Sequence, residues 1–438
     1  MSQLNQLNPL QPMDPLALIA APETAHPVAV DTTAFPARAR WLLKLLARMR
    51  DGRLTIVFPD GQRGQYGGGA GDLQAEITLR NWNLLDASIE RGDIGCAEAF
   101  VAGDWSTADP AALLRFVIRN RAAAQRLIYG SFLGQLAYRL RHLARRNSRG
   151  NARRNIQAHY DLGNEFYAIW LDPSMTYSSA LFEPAAASAP PVPMPAAPLP
   201  VGVDDLQRAQ QAKYRRVLDQ LQLAGPSRIL EIGCGWGGLA ELAARAGHRV
   251  TGLTLSPAQL HYARGRLDDQ QLDHDLMLCD YRDATGQYDG VASIEMFEAV
   301  GEQYWARFFA AVASRLKPGA RACIQTITID QTLFERYRSG TDFIQQYVFP
   351  GGMLPSVDAF EAAAADAGLR VVERFGFGAS YARTLTTWRA VFNDRLAAVR
   401  ALGFDERFMR TWNFYLAYCE AAFAEGSTDV VQFTLAHR

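Results

Sequence analysis

One stretch decides how the chain folds, and it reads Arg228-Ile229-Leu230-Glu231-Ile232-Gly233-Cys234-Gly235-Trp236-Gly237-Gly238. The apolar run at 229–232 predicts a buried strand, the spaced glycines predict a tight turn, and the run at 239–246 predicts a helix. Gly233, Gly235 and Gly237 let a ligand approach the backbone, and the start of the helix offers unpaired N–H groups to an anionic group such as a carboxylate. The stretch therefore predicts a ligand site between a strand and a helix.

Two ligand classes fit spaced glycines after a strand. A dinucleotide site requires a G-x-G-x-x-G pattern with an acidic residue roughly 20 residues later. The next predicted strand, within residues 248–256, has no acid at its tip. Glu231 ahead of the glycines instead resembles motif I of the S-adenosylmethionine (SAM) methyltransferases, and a nucleotide-binding oxidoreductase is the less favoured alternative.

The composition limits the class of protein further. The chain has 438 residues, enough for two or three domains, and 49% of them are hydrophobic, enough for a sizeable core. The cysteines form no C-x-x-C pair and no secretory leader precedes them, which indicates reduced cytosolic thiols and neither disulfides nor a metal site. The longest apolar runs fall short of the roughly 20 residues that span a bilayer. We therefore expect a soluble or peripheral protein.

Changes in composition predict four parts. The first, residues 1–36, is rich in Pro, Ala and Gln and is expected to be a flexible tail. The second shows strand and helix patterns but no catalytic constellation, so its role is structural, or it binds lipid or a partner subunit. The remaining boundaries predict a small N-terminal α+β domain at 37–110, a basic amphipathic helical linker at 111–154, and a catalytic domain at 155–438 with an unstructured Pro/Ala-rich insert at 184–202.

Residues 111–154 contain arginines but no acidic residue. The arginines alternate with apolar and aromatic residues, from Arg115 and Phe116 to Leu143 and Arg145. This pattern suits an anionic lipid surface, where each basic residue contributes about 1 kcal/mol. Nucleic acid is the rival partner, and a solvated interdomain helix is the plain alternative.

Two further segments make a family recognisable. They read Gln157-Ala158-His159-Tyr160-Asp161-Leu162-Gly163-Asn164 and Met175-Thr176-Tyr177-Ser178-Ser179-Ala180. Together with motif I they resemble the cyclopropane fatty acid synthase family, which includes the mycolic acid cyclopropane synthases. The resemblance implies an α/β fold, the Rossmann-like seven-stranded sheet of SAM-dependent methyltransferases with a reversed last strand. Within it His159 is either a core histidine or part of a site lid.

The resemblance also implies which residues contact SAM. Asp280 is expected to accept a hydrogen bond from the adenine amino group. The complete predicted set is Tyr177, Ser178, Gly233, Gly235, Gly237, Thr254, Leu255, Gln259, Asp280, Tyr281 and Arg282.

The reaction implied by the family adds a methyl from SAM to a cis double bond of a phospholipid acyl chain. The carbocation that results loses a proton, either from the new methyl to close a cyclopropane ring or from a neighbouring carbon to leave a methyl- or methylene-branched chain. The pocket must be apolar, and it needs aromatic faces and one base. Glu295 and Glu298 follow the fourth strand and are expected to face this site.

In the family the base is a bicarbonate ion held by a cysteine, a glutamate, a histidine, a tyrosine and a backbone amide. The glutamate position corresponds to Glu298, the tyrosine to Tyr381 and the amide to Ile327. The cysteine position is Ser179 here, and the histidine position is Gln325. Both replacements can still hydrogen-bond an anion, so bicarbonate binding is weakened but not excluded. A changed base could equally redirect the proton loss and give a branched chain.

We therefore expect a cyclopropane-fatty-acyl-phospholipid synthase, with a fatty-acyl C-methyltransferase as the alternative. The expected setting is cytoplasmic, at the inner face of a bilayer with unsaturated acyl chains, as a homodimer and without nucleic acid. A nucleic acid methyltransferase lacks support, because Glu-Met-Phe-Glu at 295–298 replaces the Asn-Pro-Pro-Tyr or Pro-Cys type motif of such enzymes. An inactive or binding-only relative is the remaining alternative.

Overall fold

A computed structural model describes residues 30–68, 70–124, 162–182 and 200–438, apart from the side chains of residues 70–72. Most of the predicted tail, most of the arginine-rich stretch, the His159 segment and most of the Pro/Ala-rich insert lie outside the described residues. The end of the predicted tail does not fit the expectation of flexibility, because Phe35 is buried and packs its ring 4.9 Å from that of Phe58.

The N-terminal domain is a four-stranded sheet covered by helices. Its strand order is β2-β1-β3-β4, with β1 parallel to β3 and the other pairs antiparallel. The alternating burial of β1 gives the sheet one apolar face, as its sequence predicts. The elements are α1 Ala37–Leu46, β1 Asp51–Val57, β2 Arg63–Tyr66, β3 Ala70–Leu79, α2 Asn83–Arg91, α3 Asp93–Ala102, β4 Trp105–Ser106 and α4 Pro110–Arg119.

The second domain is built on a seven-stranded sheet in the order β10-β11-β9-β8-β5-β6-β7. Its strands are β5 Arg228–Ile232, β6 Arg249–Thr254, β7 His274–Leu278, β8 Tyr288–Ile294, β9 Leu316–Ile329, β10 Leu369–Gly376 and β11 Thr428–His437. The last strand is antiparallel to both of its neighbours, β9 and β10, so the predicted reversed strand and the predicted fold class are confirmed. It lies one place inside the edge strand β10.

Helices cover both faces of this sheet, and short 3-10 turns follow β7 and β8. Several helices begin at a capping side chain; Ser256 accepts a hydrogen bond from the Gln259 N–H, and Pro257 occupies the first helical position. The helices are α5 Asn164–Trp170, α6 Val203–Leu221, α7 Gly238–Arg245, α8 Pro257–Asp268, α9 Trp305–Arg315, α10 Gln331–Ser339, α11 Phe343–Tyr347, α12 Val357–Asp366, α13 Gly378–Asp394, α14 Leu396–Ala401 and α15 Glu406–Ala424.

The two domains are joined by a buried ionic contact between α4 and the end of α15. Arg115 and Arg119 donate to the two carboxylate oxygens of Glu425 at 2.7 and 2.9 Å. Arg121 donates to the hydroxyl of Ser427 at 2.6 Å. These three arginines were expected to face a lipid or nucleic acid surface, and they instead face the catalytic domain, with only 2% of the Arg115 side chain exposed. The rest of the basic stretch lies outside the described residues.

Within the described ranges, no helix combines the length and the hydropathy that crossing a bilayer requires.

Candidate active site

A small cavity of about 140 Å³ lies at the carboxyl ends of the parallel strands, where ligands bind in such sheets. We call it the cofactor cavity. Eight of the residues predicted to contact SAM line it: Tyr177, Ser178, Gly233, Gly235, Thr254, Leu255, Gln259 and Tyr281. Other residues outside the predicted set of SAM contacts also line it, including Met175, Thr176, Tyr214, Glu231, Trp236 and Cys279. The first two lie in a quoted family segment, and Cys279 directly precedes Asp280 in the adenine segment.

The glycine turn leaves room for a ligand at the strand end. Gly235 has a φ of +51° and no atom within 4 Å of the position that a Cβ would occupy, so that position is open. A Cβ on Gly238 would instead lie 2.6 Å from the hydroxyl oxygen of Tyr214, and one on Gly233 would lie 2.8 Å from Cγ of Met296. Glycine is therefore required at both closely packed positions, while Gly235 keeps the cavity free.

Glu231 gives the cofactor cavity a buried negative group. Its Oε2 atom makes no hydrogen bond within the described part of the chain. Burial raises the pKa of Glu231 to about 8, and the positive charge of Lys213 partly offsets that effect. An unpartnered buried carboxylate at the glycine turn suits a cationic ligand, because a cation would compensate its desolvation. The residues present therefore fit SAM.

Three predicted SAM contacts are not among the lining residues. The carboxylate of Asp280 accepts from the Arg282 guanidinium at 2.7 and 2.5 Å and from the Arg282 backbone N–H at 3.0 Å. This ion pair engages the carboxylate that was expected to bind the adenine amino group. Gly237, with a φ of +82°, is the N-cap of α7 and packs against α8, so it shapes the turn.

A second, larger cavity of about 680 Å³ extends from the sheet of the N-terminal domain to the carboxyl ends of β8 and β9. We call it the apolar cavity. Its far wall consists of aliphatic side chains of the N-terminal domain, namely Leu42, Leu46, Leu54, Ile56, Ile77, Leu79, Leu84 and Leu85. Aromatic residues of the catalytic domain, including Phe349, Phe414 and Tyr415, line the remainder. The N-terminal domain, which showed no site in its sequence, thus forms part of one.

The two cavities meet at Tyr177, Glu295 and Ala299, which line both of them. Aromatic rings surround this junction. Tyr177 and Tyr415 share a hydrogen bond of 2.7 Å between their hydroxyl oxygens, and the Tyr177 ring lies 5.5 Å from that of Trp388. A group in the cofactor cavity can therefore reach an apolar molecule in the larger cavity only past Glu295 and these rings.

Glu295 occupies the centre of the junction. It follows β8 with a φ of +50°, a conformation that few residues other than glycine adopt. Its Oε1 accepts from the backbone N–H of Ser179 at 2.9 Å and from Nε2 of Gln325 at 2.8 Å. Its Oε2 accepts from the hydroxyl of Tyr381 at 2.6 Å. Burial raises the pKa of Glu295. The hydrogen bond from Tyr381 is the strongest of several interactions that lower this pKa again.

Glu298 lies beside it and has different hydrogen-bond partners. Its Oε1 accepts from the backbone N–H of Ile327 at 2.5 Å and from the Thr326 hydroxyl at 3.0 Å, while its Oε2 has no hydrogen bond within the described residues. Burial, followed by the negative charge of Glu295, raises the pKa of Glu298 to about 8. Each of these two buried carboxyl groups thus has a raised pKa, and the negative charge of Glu295 makes ionisation of Glu298 harder.

This arrangement differs from the predicted anion site. The resemblance grouped five residues around one external ion: Ser179, Glu298, Gln325, Ile327 and Tyr381. In the structure the Ser179, Gln325 and Tyr381 donors converge on Glu295, and the Ile327 amide binds Glu298. Ser179 participates through its backbone N–H, because its hydroxyl donates to the Ala180 carbonyl.

One family model matches most of the catalytic domain. The model of the mycolic acid cyclopropane synthetase family matches residues 147–433. The chain belongs to this family. It is a SAM-dependent methyltransferase of the mycolic acid cyclopropane synthetase type, and the oxidoreductase alternative is therefore wrong.

Two similar proteins cover most of the chain. Tuberculostearic acid methyltransferase UfaA1 of Mycobacterium tuberculosis is 39% identical over 389 residues, 87% of each chain. Cyclopropane-fatty-acyl-phospholipid synthase of Escherichia coli strain K12 is 32% identical over 354 residues, 81% of this chain and 85% of that one. The relatives of this chain therefore include both a cyclopropane synthase and a fatty acid methyltransferase.

Among solved structures, the cyclopropane synthase MmaA2 from Mycobacterium tuberculosis superposes with a TM-score of 0.57 at 30% identity. It covers 65% of this chain and 98% of its own. The mycolic acid cyclopropane synthase CmaA1, complexed with SAH and CTAB, gives a TM-score of 0.56 at 29% identity, with coverages of 65% and 97%. Each of these two structures leaves about a third of this chain uncovered.

The described residues contain no group of three or more His, Cys, Asp or Glu side chains arranged to hold a metal ion.

Proposed function

We propose that this family member transfers a one-carbon unit from SAM to the cis double bond of a phospholipid acyl chain. The observation that carries the proposal is the junction of the two cavities. A polar cavity fitted to SAM opens there onto a long apolar cavity of about 680 Å³, a volume within the usual range for ligand sites. An extended hydrocarbon chain is the substrate class that such a cavity favours.

The chain's own residues do three things in this reaction. Glu231 and the glycine turn hold the cofactor, which when bound supplies a methyl group on a positively charged sulfur. The aliphatic wall from β1 and β3 holds the acyl chain and excludes water from it. The rings of Tyr177 and Tyr415 line the apolar cavity at the junction, where their faces can stabilise a carbocation on the acyl chain.

The expected product is the cyclopropane ring, formed when the new methyl loses a proton and its bonding pair closes onto the cationic carbon. A second product has specific support. Loss of a proton from a neighbouring chain carbon would leave a methyl-branched, unsaturated chain, and the 39% identical relative is named a methyltransferase of tuberculostearic acid. Ser179 and Gln325 at the predicted base site also favour this alternative, because the position of the base decides which carbon loses the proton.

The experiment is incubation of the purified protein with vesicles of a cis-unsaturated phospholipid and SAM carrying an isotopically labelled methyl. Gas chromatography with mass spectrometry of the released acyl chains then separates a ring from a branch by retention and fragmentation. A labelled acyl chain of either form supports the proposal, and the form identifies the product. Absence of labelled lipid, with SAM binding intact, would refute an acyl substrate.

The membrane is the proposed partner, at its inner face in the cytoplasm, because the acyl substrate resides there. A sedimentation assay compares vesicles of anionic and of zwitterionic phospholipid, with a duplex DNA-binding assay in parallel. We expect binding to the anionic vesicles that weakens with salt. Binding to DNA with none to vesicles would reverse the choice of partner.

A further inference from the structure

We propose that the carboxylate of Glu295 is the catalytic base of this enzyme, so that no exogenous anion is needed. The inference rests on the proposed acyl-chain reaction and deepens it. In that reaction a proton must leave the methylated chain at the junction of the two cavities. A base that serves this step has to line the apolar cavity and also lie next to the methyl donor.

Only one described acidic residue satisfies both conditions. The acids that line the apolar cavity are Asp93, Glu295, Glu298 and Asp342, and of these only Glu295 also lines the cofactor cavity. Glu231 lines the cofactor cavity but not the apolar one. Position therefore selects Glu295 from the carboxyl groups of the described residues that face either cavity.

The hydrogen bonds of Glu295 suit a base. A carboxylate offers about four lone-pair sites. Three are occupied in the structure, two on Oε1 and one on Oε2. The remaining site on Oε2 is available to accept a proton. The three donors stabilise the ionised form, and burial against the apolar cavity keeps that form basic.

Two further hydrogen bonds hold the side chain of Gln325, one of the donors to this carboxylate, in place. The Oε1 atom of Gln325 accepts from Nε2 of Gln432 at 3.0 Å, and Oε1 of Gln432 accepts from Arg216 at 2.8 Å. This chain fixes the Gln325 amide with its nitrogen directed at Glu295. The group is therefore held in one orientation by the surrounding structure, as catalysis by a positioned base requires.

The same contacts leave little place for an external anion. Each donor predicted to hold one is already bonded to a carboxylate of the chain, either Glu295 or Glu298. A small anion would have to displace a carboxylate that is covalently attached at the same position. Glu295 thus provides internally the negative oxygen that the sequence analysis assigned to bicarbonate.

The proton transfer can be written for either product. The alkene pair forms a bond to the methyl carbon while the methyl–sulfur pair remains on sulfur, and the neighbouring chain carbon becomes cationic. A C–H bond then breaks, its electron pair forms the ring or a new double bond, and the proton moves to Oε2 of Glu295. The now neutral Glu295 returns this proton to solvent through the cofactor cavity after the products leave.

The test compares the wild-type enzyme with Glu295→Gln and Glu295→Gly in buffers freed of carbon dioxide, with and without millimolar bicarbonate or formate. We expect the wild type to be equally active with and without added anion. Glu295→Gln should lower kcat by about 100-fold or more with little change in the KM for SAM, as expected for loss of a general base. Glu302→Gln, at a half-buried acid that pairs with Arg338 and lines neither cavity, is the control and should retain full activity.

Glu295→Gly provides the decisive result, because it empties the carboxylate position while its φ of +50° suits glycine. We expect an inactive protein that regains activity as formate or bicarbonate is added, up to a saturating level. If the wild type needs bicarbonate and Glu295→Gln stays active, Glu295 is not the base, while the proposed acyl-chain reaction still stands. A wild type that labels no acyl chain under any condition would overturn the proposed function as well.

Discussion

The binding of SAM should depend steeply on pH, because the cofactor cavity contains a carboxyl group that is protonated when the protein is free. Glu231 lies at the end of β5 with 3% of its surface exposed, and burial raises its pKa to about 8. A bound cation would favour the ionised form, so SAM binding releases a proton. The bound state then holds fewer protons than the free state, and the affinity must rise with pH.

The magnitude follows from the size of this pKa shift. With a free-state pKa of about 8, full ionisation on binding makes the affinity change by nearly tenfold per pH unit below that value. Between about pH 5.5 and pH 7.5 the total gain is roughly 80-fold, or about 2.6 kcal/mol. This window lies below the range near 8 in which an α-amino group such as that of SAM begins to lose its own proton.

The assay is isothermal titration calorimetry with SAM in two buffers that differ in ionisation enthalpy. We expect release of nearly one proton per SAM bound near pH 6 and an affinity that rises with pH as calculated. Glu231→Gln should bind SAM with an affinity that rises much less steeply with pH over this window, whereas Glu165→Gln, an exposed acid at the start of α5, should behave as the wild type.

Lys213 is the other titrating group near this carboxylate. Burial lowers its pKa to about 7, and its Nζ atom lies 2.5 Å from Oγ of Ser178. Lys213→Met separates its contribution, because the variant removes the charge and leaves Glu231 in position. A flat affinity profile in the wild type, or an unchanged slope in Glu231→Gln, would refute the assignment of this proton to Glu231.

Three further outcomes are expected. Gly235→Val should abolish measurable SAM binding, because the side chain would enter the cavity and strain a φ of +51°; normal affinity would rule out the proposed turn. Ile56→Phe, which narrows the apolar cavity, should lower kcat/KM for long acyl chains relative to short ones, while Leu73→Phe on the same sheet should leave the preference unchanged. Glu425→Gln removes the carboxylate that the buried Arg115 and the half-buried Arg119 share, and it should lower the free energy of unfolding by about 3 kcal/mol in denaturant titrations, against less than about 1 kcal/mol for the exposed Glu76→Gln.

The sequence was sufficient for the sheet and the glycine turn, because both depend on local patterns. The run before Gly233 predicted β5, and most residues selected around it do line the cofactor cavity. The ion pair between Asp280 and Arg282 could not be foreseen, because two residues so close in the chain leave no periodic signal, and the contact of Asp280 with adenine stays a prediction. The apolar cavity was missed for the opposite reason, since its walls come from segments about 300 residues apart, such as Leu54 and Phe349.

The role of the N-terminal domain follows from the same geometry. Its β1 and β3 strands present an aliphatic face to the apolar cavity, while Asp93 of α3 accepts from the Tyr418 hydroxyl at 2.8 Å and from the Phe343 N–H at 3.1 Å. Polar contacts such as these therefore attach the N-terminal domain to the catalytic domain, and the apolar cavity between the two domains stays open to a ligand. This arrangement closes one end of the apolar cavity, whose walls come from both domains.

Glu295 combines two features that each oppose folding. A left-handed backbone at a residue with a side chain costs roughly 1–2 kcal/mol, and burial of a carboxyl group adds a desolvation penalty. A glycine at this position would avoid both costs and would keep the hydrogen bond from the backbone N–H of residue 295 to the Gln325 carbonyl. It would also leave the side chains of Gln325 and Tyr381 without the acceptor that Glu295 provides. The glutamate therefore serves these buried donors and, in our proposal, proton removal at the junction. The backbone conformation determines which of the two carboxylates faces both cavities. The sequence does not reveal that conformation, so it could select Glu295 and Glu298 together but could not distinguish them.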